Sequence, residues 1–183
     1  MLKFLPLLIA FSLLAACAPS GARAIPPTDV PNLDVSSPAF LAGEPIPKEY
    51  TCDGADRSPA LRWEGVPADA QSLAILMQDP DAPGGTFTHW ILVNLPASLD
   101  EIPGGLPAEE TALDGALQGK NDFGRLGYGG PCPPAGKAHH YIFTVYALDQ
   151  MLPLDKAPSR EQFHQAIQGH VLAAGQLTGT YQR

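Results

Sequence analysis

Short apolar or alternating runs, punctuated by proline and glycine, dominate the chain beyond residue 32, and they predict strands at 33–40, 60–63, 72–78, 87–95, 111–118 and 141–148. The 87–95 run is nearly apolar on both alternating faces, as a central strand covered on two sides must be. One helix is well signalled near the end. Ser159 and Gln162 have the spacing of a capping box behind Pro158, Phe163, Ala166 and Ile167 follow at helical intervals, and Gly169 is placed to stop it. The stretch 171–183 is ambiguous by pattern alone. These spacings fit an all-β domain of two packed antiparallel sheets, with one or two short helices near the C-terminus. No internal repeat is visible.

The first residues follow a different rule. Met1 and Lys3 precede an apolar run from Phe4 to Ala16, and Cys17 closes it. A single cation, a run shorter than the ~20 residues of a bilayer span, and small residues at its end describe an export signal over 1–16. Leu14-Ala15-Ala16-Cys17 is similar to the bacterial lipobox, in which the cysteine is acylated; cleavage after Ala24 in Ala22-Arg23-Ala24 is the plainer alternative. Acylation of Cys17 would hold the protein on a membrane of the bacterial cell envelope, facing the periplasm or the exterior, without a spanning helix. Residues 17–32 carry several prolines and no periodicity, and read as a flexible tether whose reach is on the order of 20 Å. The domain is then 33–183, a length that suits one core.

Charge narrows the partners. The chain carries 11 Lys and Arg against 19 Asp and Glu, and loss of Lys3 with the signal leaves a net charge of −9. Such a balance argues against nucleic acid and against broad adhesion to anionic lipid. Any bound anion must be captured locally. With Cys17 acylated, Cys52 and Cys132 remain. An even pair in an exported protein fits a disulfide, and two separate buried thiols fit the sequence equally well.

The candidate chemistry lies in two dense blocks, Asp79-Pro80-Asp81-Ala82-Pro83 with His89-Trp90, and Gly127-Tyr128-Gly129-Gly130-Pro131-Cys132-Pro133-Pro134 with His139-His140-Tyr141. Strand alternation groups His89 with Phe87, Ile91 and Val93. It likewise groups His139 and Tyr141 with Phe143 and Val145, and turns His140 away. Pro80 and Pro83 hold Asp79 and Ala82 extended, so the aspartates sit on restrained backbone, either as turn residues bonded to their own chain or as partners of an imidazole. Gly129 and Gly130 offer backbone N–H groups that could form an anion nest. No Gly-x-Ser-x-Gly elbow, His-Glu-x-x-His or phosphate-loop motif is present, and no catalytic residue is expected. Two histidines and two aspartates could ligate a metal, but neighbouring His139 and His140 point oppositely on a strand, so neither a metal site nor a cofactor is expected.

Together these blocks resemble the phosphatidylethanolamine-binding protein family, also called Raf kinase inhibitor-like proteins. Thr51-Cys52-Asp53-Gly54, Ser58-Pro59 with Trp63, and Gly179-Thr180-Tyr181-Gln182-Arg183 are similar to its bacterial branch. The resemblance implies two antiparallel sheets, a closing role for the last residues, a small anion pocket at one end and a cis bond before a proline of the first block. It implies pocket residues Asp79, Asp81, His89, Tyr128, Gly129, Gly130, Pro131, His139 and Tyr141. The expected ligand is a phosphate-type anion or phospholipid headgroup. His89 and His139 would donate to it with the Tyr141 hydroxyl and the Gly129–Gly130 N–H groups, while Asp79 and Asp81 brace the site and meet any ammonium. Inhibition of a target enzyme, a protease or a kinase, through the pocket rim is the alternative, and a homodimer is compatible with either. The short segment between Pro83 and His89, the additional Cys132-Pro133 and the export signal depart from the eukaryotic pattern and speak against a cytosolic kinase partner.

Overall fold

A computed structural model describes residues 29–183. The expected signal, Cys17 and most of the tether lie outside the described residues.

A five-stranded antiparallel sheet forms the body. Its central strand is β3 (Ser72–Asp79), paired on one side with β4 (Phe87–Pro96) and on the other with β7 (His139–Leu148). The short β6 (Leu117–Gln118) extends it beyond β4, and β8 (Val171–Tyr181) extends it beyond β7. A second sheet of β1 (Asp34–Ser36), β2 (Leu61–Glu64) and β5 (Glu101–Ile102) packs across one face. Every residue of β3 is buried, because both faces of the larger sheet are covered. Leu73, Ile75, Met77, Trp90, Tyr141 and Phe143 fill the layer between the sheets with Trp63 and Leu61. Ala74, Leu76, Ile91, Val93 and Tyr146 form a second layer beneath the helix α1 (Arg160–Ile167), which contributes Phe163 and Ile167.

The capping box is present: the Gln162 N–H donates to the Ser159 hydroxyl, and the Ser159 N–H donates to the Gln162 side chain. Gly169 follows the helix at φ +82°. The ambiguous tail 171–183 is a strand for nearly all its length. Its small residues have a steric cause, since a Cβ at Gly175 would come within 2.1 Å of the Leu33 carbonyl oxygen. That approach lets residues 31–46 cover the edge of β8, where Leu33 N–H donates to Ala174 and Ile46 N–H to Thr180. The expected strand at 111–118 shrinks to two residues, because Asp114 (φ 49°) and Gly115 (φ 85°) turn the chain just before it. The peptide bonds are all trans among the described residues, Pro80 and Pro83 included. Cys52 and Cys132 are bonded across 80 residues of sequence.

Candidate functional site

β4 does not run as a simple alternation. Gln78 pairs with Thr88 and Met77 with Trp90, so one residue of β4, His89, is extra. This bulge is why His89 and Trp90, adjacent in sequence, both turn to the side of the sheet that carries Tyr141. It also corrects the expected grouping of His89 with Ile91 and Val93, which lie under the helix. His89 instead turns toward Tyr141, with ring centroids 5.1 Å apart and edge-on. Its Nδ1 lies 2.6 Å from the Gly129 carbonyl oxygen. A carbonyl only accepts, so Nδ1 carries the hydrogen and Nε2 of the neutral ring is a bare lone pair. Burial lowers the pKa of His89 from its ordinary value, against the raising effect of that carbonyl.

His139 stands at the start of β7, opposite the end of β3. Its Nδ1 donates to Asp79 Oδ2 at 2.7 Å, and both side chains are buried. The other Asp79 oxygen accepts the Asp81 N–H at 2.8 Å, a turn of the Asp-Pro-Asp segment upon itself. Asp79 therefore serves both the turn and the ring. As at His89, the carboxylate fixes the hydrogen on Nδ1 and leaves Nε2 of the neutral ring as an acceptor.

The two imidazoles line one cavity of about 170 Å³. Asp79 lines it beside His139, and the remaining walls are Phe87, Phe123, Ala82-Pro83 and the Cys132-Pro133-Pro134 run. Phe123, absent from the sequence reading, packs edge-on against Phe87 at 4.7 Å and against His89 at 5.4 Å, under the Arg125 guanidinium. It comes from a loop fastened to β4 by Asp122, which accepts the Thr88 N–H at 2.7 Å. Arg160, at the start of α1, donates to the Thr86 carbonyl and to Asp122, so the helix steadies this wall from behind. A lone phenylalanine between Asp122 and Gly124 gives no sequence signal for such a role.

Tyr141 is fully buried and does not line the cavity. It sits behind His89, and its hydroxyl has no hydrogen-bond partner. Burial first, and the Asp79 charge second, raise its pKa, so the hydroxyl keeps its proton.

Four expectations are corrected. Tyr128 is a core residue: its ring meets Trp90 edge-on and its hydroxyl donates to the Tyr50 carbonyl at 2.7 Å. The Gly129 N–H donates to the His89 carbonyl and the Gly130 N–H to Asp56, so neither is open to an anion. Glycine is required there for close approach, since a Cβ on Gly130 would lie 2.3 Å from the Tyr50 carbonyl oxygen. Pro131 accepts the Cys52 N–H through its carbonyl and lies outside the cavity wall. Asp81 pairs with the ring and backbone of exposed His140, and the His140 side-chain hydrogen bond is the main reason its pKa is lowered. Asp79 lines the cavity with each of its oxygens already accepting one hydrogen bond, whereas Asp81 does not line it. Among the described residues no group of three or more His, Cys, Asp and Glu is arranged to hold a metal ion.

The sequence model of the phosphatidylethanolamine-binding protein family matches residues 36–182. A UPF0098 protein of Pyrococcus horikoshii is 50% identical over 155 residues, which are 83% of this chain and 77% of that protein. Another from Methanothermobacter thermautotrophicus is 44% identical across 82% of this chain and 99% of its own. Among solved structures, YbcL of E. coli, described as a new member of the mammalian PEBP family, superposes with a TM-score of 0.78 at 36% identity, covering 83% of this chain and 99% of that one. A putative phosphatidylethanolamine-binding protein homologue of Chlamydia trachomatis superposes with a TM-score of 0.76 at 38% identity, covering 83% and 98%.

Proposed function

The chain belongs to the phosphatidylethanolamine-binding protein family, and on that premise we propose that it is a binding protein whose small cavity captures a phosphate-type anion, free or as a lipid headgroup. The reading rests on one observation. Two buried histidines line a single cavity, each with Nδ1 already committed, so the Nε2 atoms are left for a ligand.

A neutral pair would present two lone pairs and repel an anion. Binding therefore brings a proton with it, on an imidazole or on the phosphate itself. Asp79 fixes the orientation of the His139 ring through their hydrogen bond. Tyr141 holds a protonated hydroxyl in reserve behind the rings, and Phe87, Phe123 and the proline run exclude water, which strengthens each charge-assisted contact. The apolar rim suits a ligand with a carbon substituent on its phosphate. In this reading Cys17 carries an acyl anchor, and the domain works beside the membrane of a cell envelope.

Calorimetric titration with inorganic phosphate and with phosphoethanolamine tests the site. His89→Ala and His139→Ala are each expected to weaken binding at least about tenfold, the scale of one lost charge-assisted hydrogen bond, with cooperative unfolding retained. Unchanged affinity in both variants would move the site elsewhere.

A further inference from the structure

A second cavity, of about 320 Å³, lies on the other side of the disulfide loop and shares no lining residue with the first. It opens between Glu49-Tyr50 and Arg57-Ser58, the turn at Gly104-Gly105 and the chain at Pro38-Ala39. Five arginines fall within the described residues. Arg62, Arg125, Arg160 and Arg183 each form an ion pair. Arg57 forms none, yet it lines this cavity in a protein with a large excess of acid.

The Arg57 side chain lies close over Gly105, where a Cβ would come within 2.7 Å of its guanidinium nitrogen. Gly105 (φ +74°) is locked in turn, since its N–H donates to the Ser58 carbonyl and the next N–H, of Leu106, donates to the Ser58 hydroxyl. Facing the same space are Glu49 and Tyr50. Burial first, then the Glu49 carboxylate through its charge and its hydrogen bond with the phenol, raise the Tyr50 pKa, and the Arg57 charge opposes them, so both charges lie near the one hydroxyl. Despite this nearness, no ion pair joins the carboxylate and the guanidinium. The frame between them is stiff. Arg57 N–H donates to the Glu49 carbonyl, Cys52 is bonded to Cys132, and Asp56 accepts the Gly130 N–H.

Two opposite charges that border one cavity and remain apart leave each other's place vacant for a ligand. We propose that this cavity binds a small zwitterion of the α-amino-acid type. The ligand carboxylate lies on the Arg57 fork, which matches carboxylate geometry. Its ammonium lies by Glu49. A dianion such as phosphate is disfavoured here, because Glu49 offsets the single cation. The inference is independent of the anion site.

Titration of the ¹⁵N-labelled protein by NMR with glycine, acetate and methylammonium separately tests it. Both charges are exposed, so affinity in the millimolar range is expected. Glycine should bind at least about fivefold more tightly than either half, because the second contact is made intramolecularly. Shifts should fall on residues 49–58 and 104–105. Arg57→Ala should abolish them, and Glu49→Gln should bring glycine down to the level of acetate. Both residues are exposed, so both variants keep the fold. Glycine and acetate binding equally, Arg57→Ala binding as wild type, phosphate displacing glycine, or the absence of shifts at these residues would each overturn the proposal.

Discussion

Asp79→Asn reverses the proton bookkeeping of the anion site with the least change of shape, and its effect on the pH dependence of binding can be worked from two hydrogen bonds. In the wild type, Asp79 takes the Asp81 N–H on one oxygen and the His139 Nδ1–H on the other. An asparagine must offer its single oxygen to the Asp81 N–H, which only donates. Its NH₂ then faces His139 Nδ1 and forces that nitrogen to accept. The neutral His139 ring moves its hydrogen to Nε2, where it can donate to an anion with no added proton. Sulfate is the right probe, because it carries no titrating proton in this range. For the wild type, every proton taken up on binding costs about 1.4 kcal/mol per pH unit. His89 titrates below its ordinary value of 6.5, because it is buried. One coupled proton thus lowers sulfate affinity about 30-fold between pH 6.5 and 8, or about 2 kcal/mol. In Asp79→Asn the His139 Nε2–H donates without an added proton, so binding takes up fewer protons and falls less steeply with pH. At pH 8 the variant should bind sulfate roughly tenfold more tightly than wild type, helped by the removal of a nearby negative charge. Calorimetry in two buffers of different ionisation enthalpy counts the protons, and ring ¹⁵N shifts report the tautomer. Parallel pH curves for the two proteins, or wild-type affinity that is flat from pH 5.5 to 8, would refute the reasoning.

Three further outcomes can be measured directly. The double variant Cys52→Ser/Cys132→Ser opens a loop of 80 residues, and loop-closure entropy puts the loss of stability on the order of 4 kcal/mol, an upper figure; denaturant midpoints with and without reductant check it, and because Cys132 lines the anion cavity, phosphate affinity should fall as well. Tyr128→Phe deletes the hydrogen bond to the Tyr50 carbonyl and should cost about 1–2 kcal/mol of stability, leaving phosphate affinity unchanged; a weakened affinity without loss of stability would restore Tyr128 to the site. Arg160→Ala frees the Phe123 wall from α1 and should weaken phosphate binding a few-fold through the off-rate, with Arg160→Lys intermediate; stopped-flow displacement separates this from a change in on-rate.

What was legible in the sequence was legible for local reasons. The apolar runs of β3 and β7 and the Ser159–Gln162 box are written within a few residues of where they act. The tail 171–183 was not, because Gly175 answers to the Leu33 backbone and Gly179 to the Phe40 and Ile46 side chains rather than to the tail's own pattern. The same divide runs through the site. His89 and His139 were found because polar tips on apolar strands stand out, but the face that His89 occupies depends on a bulge set by the register with β3. The glycine N–H groups looked open because their acceptors, Asp56 and the His89 carbonyl, are remote or hidden in the sheet. Asp81 looked equivalent to Asp79 until the fold gave one to His139 and the other to His140. Phe123 could not be seen at all, since only Asp122 and Arg160 place it over the cavity.

The supernumerary residue in β4 has a consequence for how this gene can change. Below Trp90 the strand is committed to both layers of packing, and above it Phe87 must still reach the cavity. Excising a single codon at Thr88 or His89 would leave the composition almost untouched yet rotate the strand's entrance by half a turn, sending the aromatic wall to the wrong side. Reading-frame-preserving insertions and deletions are thus as dangerous here as an exchange of the imidazole itself, and viable variants of this protein should differ in letters along this strand but not in count.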